Sequence, residues 1–296
     1  MTARVAVVVL TWNGCEDTLE CLDSVAALDW PELDVVVADN GSADGTVAAV
    51  HRRFPGVHVV ENGANLGFAE GNNRGIAAAL ERGADAVLIL NNDTTVPPGL
   101  LRSLVDALDD GVGAVCPVIH HADGERIWFA GSRYDPARGH AGRPSPWERG
   151  RAPLPAGPVE IDRAVGAAML VPRTVVERLG AFAPELFYLF EDVEWSLRMR
   201  RAGLRVLLDP RVSVRHRVAA SQDGHARTPV TLYYGTRNDL EVRRRAGTAT
   251  VGRELICVAS HVAAALGSRE RRLACAAASL AGWADFRRGR LGPRAA

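Results

Sequence analysis

The segment "LILNNDTTV", residues 88–96, decides how the rest of the sequence is interpreted, because three apolar residues run directly into two amides and a carboxylate. The apolar residues are typical of a buried strand. Asn91, Asn92 and Asp93 are typical either of an ordinary turn or of a ligand site at the end of a strand. Taken alone, the segment is compatible with both interpretations.

The surrounding pattern indicates an α/β fold with a mostly parallel sheet. Apolar runs rich in Val and Ile occupy residues 4–10, 34–38, 57–60, 86–90 and 113–119. Helical patterns lie between them, at residues 18–27, 45–53, 71–82 and 98–108. Continuous apolar strands that alternate with amphipathic helices are typical of βαβ units, in which the sheet is covered on both faces.

Three of the predicted strands end in polar clusters. Thr11 and Asn13 follow the first strand, Asp39 ends the second, and residues 91–93 follow the fourth. Since parallel strands share one carboxyl edge, these clusters should meet where open α/β sheets bind ligands. No GxGxxG follows the first strand and no GxxxxGK[ST] occurs, so we expect a nucleotide site that is not of the Rossmann dinucleotide type.

The second half of the sequence is less regular. Residues 131–158 are rich in Gly, Pro and Arg, which predicts a long irregular segment. A strand is expected at 164–171, helices at 172–180 and 192–202, a short strand at 205–208, and helices from 228 to the end. We therefore divide the chain into an α/β half (1–120), a less regular half with an acid pair (121–228) and a C-terminal helical region (229–296).

Two further groups of residues carry candidate chemistry. Asp93, a single carboxylate beside amides, suits Mg²⁺ or Mn²⁺ bound together with substrate phosphates, and His216 is a candidate second ligand. Glu191 and Asp192 follow an apolar approach. They are interpreted either as the acidic first turn of a helix or as a general base with a partner.

The amino-acid composition indicates the cellular compartment of the protein. The chain has 296 residues, a formal net charge of zero and no Lys, and its five Cys form no CxxC pair. These features predict a cytoplasmic protein with reduced thiols. Residues 255–266 form the most apolar helical stretch, which is shorter than the roughly 20 residues that span a bilayer.

The C-terminal region is locally basic. Residues 241–296 contain eleven Arg and four acidic residues. We interpret this region either as a helical cap on the domain or as a surface that rests on anionic lipid at the inner face of the membrane. A nucleic-acid partner is not expected, because no recognised nucleic-acid motif accompanies the Arg; a homodimer is a further expectation.

In order along the chain, seven motifs together resemble those of family 2 glycosyltransferases, and within them the bacterial rhamnosyltransferase-like group. The motifs, which span about residues 4–240, are "VVVLTWNG", "VVVADNGSADGT", "NLGFAEGNNRGI", "LILNNDTTVPPGLL", "AVGAAMLV", "LFYLFEDVEWSLRMRRAG" and "YYGTRN". The resemblance implies a GT-A fold: a mixed, mostly parallel Rossmann-like sheet flanked by helices, with a helical C-terminal extension. It also implies an inverting transfer from a UDP- or dTDP-activated sugar, with a divalent metal as cofactor.

The same resemblance implies roles for individual residues. The metal is held by Asp93 and His216, and Asp192 is the base that deprotonates the acceptor, with Glu191 beside it. The remaining residues are placed around the nucleotide: Thr11, Asn13, Asp39, Asn65, Gly67, Asn73, Asn91, Asn92 and Arg237. The sequence departs from the usual DXD motif at Asn91, which leaves the metal with weaker protein ligation.

Two alternatives to a sugar transferase fit the sequence less well. A sugar-1-phosphate nucleotidyltransferase would carry a Gly-rich, basic loop after the first strand, and "TWNGCEDT" has neither feature. A non-catalytic nucleotide-sugar-binding module would have no need for the acid pair at Glu191 and Asp192. The acceptor is expected to be a glycan, a lipid-linked sugar or a small molecule.

Overall fold

The computed structural model describes residues 3–135, 140–217, 228–267 and 271–294, and the fold is reported for those residues. The N-terminal part alternates strands and helices as predicted. Its elements are β1 (Val5–Thr11), α1 (Cys15–Ala26), β2 (Leu33–Asp39), α2 (Thr46–Arg53), β3 (His58–Glu61), α3 (Gly67–Glu81), β4 (Ala86–Asn91), β5 (Thr94–Thr95), α4 (Leu100–Asp106) and β6 (Val112–His121). The interiors of β1, β4 and β6 are buried, which explains their continuous apolar runs, whereas the edge strand β3 is only partly buried.

The second part contains more strands than the sequence suggested. Its elements are β7 (Ile127–Phe129), β8 (Ser132–Asp135), β9 (His140–Pro144), β10 (Val159–Ile161), β11 (Ala168–Pro172), α5 (Arg173–Leu179), a 3-10 turn (Pro184–Leu186), α6 (Glu191–Arg201) and β12 (Arg205–His216). The prediction of an irregular segment at 131–158 was wrong in part, since β8 and β9 pair antiparallel within it. The last strand is longer than predicted because a bulge between Asp209 and Ser213 accommodates Pro210 and lets the pairing continue.

The main sheet of the described residues is mixed. Its strand order is β10-β12-β6-β11-β4-β1-β2-β3, with β5 added to β12 and β7 added to β6. β1 runs parallel to β2 and β4, and β6 runs parallel to β12. Only β11 separates the two parallel groups, and it runs antiparallel to β4 and β6. This arrangement confirms the predicted mixed α/β sheet.

Three helices follow the sheet: α7 (Pro229–Arg245), α8 (Val251–Leu266) and α9 (Arg272–Arg287). Their presence confirms the predicted helical C-terminal region. α7 begins with a capping box between Thr228 and Thr231, and its polar side chains are largely buried. Within the described parts of the chain, no helix combines the length and the apolarity that crossing a membrane requires.

Candidate functional site

The three polar strand ends meet at one edge of the sheet. In the parallel pair β1–β2, Thr11 lies opposite Asp39, and in the pair β1–β4, Leu10 lies opposite Asn91. The structure therefore confirms that these ends share a carboxyl edge, the position at which α/β sheets bind ligands.

Asp93 and His216 form a close pair at this edge. The imidazole Nε2 of His216 lies 2.8 Å from Oδ1 of Asp93, and 3.3 Å from Nδ2 of Asn91. The pair is formed by local strand geometry: Thr94 and Thr95 pair with the last two residues of β12, which brings Asp93 next to His216. Both side chains are nearly buried, with exposures of 15% for Asp93 and 7% for His216.

The donor atoms of this pair fit a divalent cation. A carboxylate oxygen and an imidazole nitrogen are ligands that Mn²⁺ accepts, and Mg²⁺ commonly takes one carboxylate together with substrate phosphates. A cavity of about 140 Å³ lies beside Asp93, and its walls include Asp17 and Glu20 of α1. Those two carboxylates pair with the guanidinium of Arg217, so their negative charges are already balanced within the protein.

Thr11, Asn13 and Asn92 connect the loops of the site to one another. The Asn92 amide donates to the hydroxyl of Thr18 at 3.1 Å, and that hydroxyl also contacts Thr11 at 2.8 Å. The Asn13 carboxamide oxygen accepts from the backbone N–H of Ala43 at 2.8 Å. These polar groups shape the strand-end loops, which is the turn-forming role that the sequence left open for Asn92.

One carboxylate oxygen of Asp39 accepts hydrogen bonds, and the other has no partner among the described residues. Oδ2 accepts from the backbone N–H groups of Gly41 and Ser42 at 3.0 and 2.9 Å. Oδ1 is buried and has no hydrogen-bond partner among the described residues. A buried acceptor without a donor is costly, so this oxygen suits an N–H group of a ligand.

An apolar cavity of about 400 Å³ opens next to these loops. Its walls include Asn65 and Gly67, two of the residues that the resemblance places around the nucleotide, together with Phe187, Trp12 and Tyr234. Of these, Trp12 and Tyr234 were not predicted. Trp12 is 55% exposed, which is unusual for a tryptophan. The sequence does contain a signal that could have identified Trp12 as a cavity residue. It is an aromatic residue inside the polar "TWN" turn, where the neighbouring residues give its side chain nothing to pack against.

The acid pair begins α6, and its two members have different environments. Glu191 is buried, and this burial, followed by the nearby Asp192 carboxylate, raises its pKa to about 8. Asp192 is less buried and accepts from the backbone N–H of Gly166 at 3.2 Å. A Cβ placed on Gly166 would touch both Phe68, in the cavity wall, and Asp192, so the carboxylate lies near that wall.

Two predicted site residues do not reach the ligand edge. Asn73 uses both ends of its carboxamide on the backbone of Phe182, at 2.9 and 3.0 Å. Arg237 is buried and donates to the carbonyl groups of Gly292 and Leu186 at 2.6 and 3.1 Å. The predicted contacts of Asn73 and Arg237 with the nucleotide are therefore corrected: their polar groups stabilise the fold.

A separate cluster of potential metal ligands lies between α7 and α8. The donor atoms of Asp239, Cys257 and His261 lie within 4.8 Å of one another. The guanidinium of Arg243 already contacts both Asp239 oxygens, at 2.7 and 3.0 Å. Burial raises the pKa of the Cys257 thiol, which keeps it protonated. A cation would have to compete with the arginine, so this cluster is a buried hydrogen-bond network.

The chain is similar to known glycosyltransferases. It is 29% identical over 242 residues to the N-acetylglucosaminyl-diphospho-decaprenol L-rhamnosyltransferase of Mycobacterium tuberculosis, covering 75% of this chain and 78% of the relative. It is 23% identical to the dTDP-rhamnosyl transferase RfbF of Shigella flexneri over 253 residues, 83% of this chain and 81% of that one.

Structural comparison supports the same fold. The mannosyltransferase PcManGT from Pyrobaculum calidifontis, solved with GDP-Man and Mn²⁺, superposes with a TM-score of 0.59 at 21% identity, covering 96% of this chain and 76% of that one. This likeness confirms the GT-A fold. The profile described as Glycosyl transferase family 2 matches residues 6–172. The chain therefore belongs to glycosyl transferase family 2.

Proposed function

We propose that this glycosyltransferase moves a hexosyl group from a UDP- or dTDP-sugar, with dTDP-rhamnose as the first candidate, to an acceptor hydroxyl in one inverting displacement. The observation that carries the proposal is the convergence, at one sheet edge, of the Asp93–His216 pair and the unpartnered Asp39 oxygen, with Asp192 near the wall of the adjoining cavity. The rhamnosyltransferase names of two relatives support the choice of donor.

Each proposed role follows from the position of a side chain. The free Oδ1 of Asp39 accepts an N–H of the nucleotide base, and the cavity beside Asn65 and Gly67 receives the neighbouring part of the donor. Asp93 and His216 hold Mg²⁺ or Mn²⁺, which would neutralise the charge that develops on the diphosphate leaving group. Asp192, at the start of α6, accepts the proton of the attacking hydroxyl.

The two carboxyls of the acid pair have separate roles. Glu191 is buried with a raised pKa, so it keeps a proton near neutral pH and does not repel a charged Asp192. Asp192 is the more accessible of the two, so an acceptor hydroxyl can reach its carboxylate. This difference favours a transferase over a non-catalytic binding module, in which such a buried acid would have no use.

We assign the acceptor to the class of lipid-linked sugars. A relative is named for a decaprenol-linked acceptor, which would lie in a membrane. We propose that residues 1–120 bind the donor, that 121–228 contribute the acid pair and acceptor contacts, and that 229–296 form a helical region that meets the inner face of the membrane from the cytoplasm.

The exposed faces of α8 and α9 support this membrane contact. Large apolar side chains that are about half exposed or more lie on these helices: Val251, Leu255, Ile256, Leu266, Leu273 and Leu280. The acidic residues described on the two helices, Glu254 and Asp285, have partners: Glu254 pairs with Arg287 and Asp285 accepts from the Tyr233 hydroxyl.

The charge of the same surface favours anionic lipid. Arg253, Arg271 and Arg272 are exposed there. An apolar stripe flanked by arginine is typical of helices that lie in a membrane interface. A second copy of the chain on this face would bring like charges together, which makes a symmetric dimer through it unfavourable.

A donor screen tests the proposed function. Purified protein is incubated with UDP- and dTDP-sugars in Mg²⁺ or Mn²⁺, and thermal stabilisation and release of nucleoside diphosphate are measured. Stabilisation by one donor, with slow release of its diphosphate and faster release in the presence of lipid-linked acceptors, supports the proposal. Release of pyrophosphate from a sugar-1-phosphate and a nucleoside triphosphate would instead identify a nucleotidyltransferase.

A further inference from the structure

The four residues before the acid pair contain an unusual run of left-handed backbone. Phe187, Leu189 and Phe190 have φ values of 64°, 68° and 72°, a region that side chains other than glycine rarely adopt. Phe187 has ψ of −58°, and the N–H of Tyr188 donates to the carbonyl of Leu186 at 2.7 Å, so Phe187 is the centre of a strained γ-turn. Such a conformation persists only where its surroundings hold it.

A single side chain of α7 holds most of this segment. Asn238 is fully buried, and its Nδ2 donates to three backbone carbonyl groups at 2.8, 2.9 and 2.8 Å, those of Leu186, Tyr188 and Leu189. Its Oδ1 accepts from Nε of Arg237 at 2.9 Å, which fixes the orientation of the carboxamide. Asn238 therefore presents its donor side to the strained segment.

The carbonyl group of Phe187 accepts its hydrogen bond from α3 and not from α7. The oxygen of Phe187 accepts from the N–H of Phe68 at 2.7 Å, in the first turn of α3. Gly67 is required at this contact, because a Cβ there would overlap that oxygen. Four consecutive carbonyl groups, at residues 186–189, are thus satisfied by α3 and α7, and α6 starts two residues later.

We propose that Asn238 is a positioning residue for Asp192. It holds residues 186–190 in the strained form, and that form fixes where α6 begins and hence where the Asp192 carboxylate lies. The inference rests on the proposed function, in which Asp192 is the base. An amide is needed here because an aspartate would face three carbonyl oxygens with negative charge. An alanine would remove the side-chain donor from all three, and the Leu186 oxygen would keep the Tyr188 N–H and Arg237 as donors.

The principal test compares Asn238→Ala with Thr236→Val. Thr236 is a matched control, since it is buried on the same helix and its hydroxyl bonds only to the Leu232 carbonyl of α7. Asn238→Ala should lower kcat by about 100-fold, the scale of a misplaced general base. The Kd for the nucleoside diphosphate, whose proposed contacts are with Asp39 and Asp93, should stay within about threefold of wild type. Thr236→Val should keep kcat within about threefold.

Relief of the strain provides a second test. Glycine adopts the φ of Leu189 without penalty, so Leu189→Gly relieves the strain at one of the three left-handed residues and lowers the tendency of the segment to relax once Asn238 is gone. Combined with Asn238→Ala, it should restore kcat at least tenfold relative to Asn238→Ala alone, a non-additive result that general destabilisation does not produce. A kcat within threefold of wild type for Asn238→Ala, or additive losses in the double variant, would overturn the proposal.

Hydrogen exchange separates failure of this inference from failure of the proposed function. In Asn238→Ala the amides of Phe68 and Tyr188 should exchange faster than in Thr236→Val, whatever reaction the protein performs. If Asp192→Asn leaves transfer intact, the proposed function is wrong even though the exchange result stands. If Asn238→Ala does not fold, Asn238→Ser, which keeps one donor, replaces it and should lose kcat by an intermediate factor; an unchanged kcat there also contradicts the inference.

Discussion

The imidazole Nε2 of His216 lies 2.8 Å from the carboxylate Oδ1 of Asp93, which makes these residues the protein side of a candidate metal site. Asp93→Ala should weaken nucleoside diphosphate binding by about tenfold or more in Mn²⁺, and leave the weak binding in chelator unchanged, because only the metal-dependent part is lost. Isothermal titration in both conditions measures this difference. Asp17→Ala, on the wall of the neighbouring cavity, is the control; equal affinities for wild type and Asp93→Ala would remove Asp93 from the metal site.

Asp192→Asn tests the assignment of the base. The substitution preserves shape but removes the proton acceptor, so transfer should fall by about 10²–10⁴ while the Kd for the donor stays within a factor of about two. Initial rates at saturating donor, together with titration of the nucleotide, separate the two effects. A loss of less than tenfold, about 1.4 kcal/mol, would mean that another group takes the proton.

Glu191 should make stability depend on pH in a defined window. Burial, and secondly the Asp192 carboxylate, raises the pKa of Glu191 from 4.5 to about 8, so between these values the folded protein holds a proton that the unfolded chain releases. The contribution is fully present below about pH 4.5 and is lost as the pH rises through about 8. Glu191→Gln imitates the protonated acid, so its free energy of unfolding should decline less across this window, by on the order of 5 kcal/mol at about 1.4 kcal/mol per pKa unit.

Urea unfolding at several pH values measures this dependence. The comparison is the slope of the free energy of unfolding against pH, because a uniform loss of stability shifts the curve without changing its slope. Parallel curves for wild type and Glu191→Gln would show that the Glu191 carboxyl is not buried in its neutral form.

The exposed face of α8 should contribute to lipid binding. Leu255→Ser combined with Ile256→Ser removes apolar area that is already in water, so folding should be unaffected while cosedimentation with phosphatidylglycerol vesicles falls several-fold. The matched control, Leu154→Ser, removes an exposed leucine from another part of the chain. Binding to anionic vesicles should weaken with salt, since each arginine near the surface contributes about 1 kcal/mol; concentration-dependent dimerisation without vesicle binding would identify a second copy as the occupant.

Two glycines with positive φ allow strain and steric overlap to be separated. Gly45→Ala, at φ 85° with open space around it, should cost about 1–2 kcal/mol from backbone strain alone. Gly67→Ala, at φ 80° against the Phe187 carbonyl, should cost a further ~1–3 kcal/mol from overpacking. Denaturant unfolding of both variants gives the difference; similar losses would mean that the segment at Phe187 moves freely.

The sequence predicted the parallel part of the sheet and the convergence of Thr11, Asp39 and Asn91, because continuous apolar strands and polar strand ends are local signals. It did not predict that β11 runs antiparallel between β4 and β6, since an apolar run is the same in either direction. The positions of Asn73 and Arg237 were not predictable either. Asparagine and arginine side chains donate hydrogen bonds to ligands and to backbone carbonyl groups equally well. The carbonyl groups that Asn73 and Arg237 contact are far away in sequence.

The buried polar face of α7 limits where the chain can be cut to give a shorter fragment. The family profile ends at residue 172, yet the backbone of residues 186–189 depends on a donor from residue 238. A fragment that stopped after β12 would leave the carbonyl groups of Tyr188 and Leu189 without the donor that Asn238 supplies, directly before the acids of α6. The first of the C-terminal helices, α7, therefore completes the backbone that leads into α6, although it lies well beyond the residues that the family profile matches.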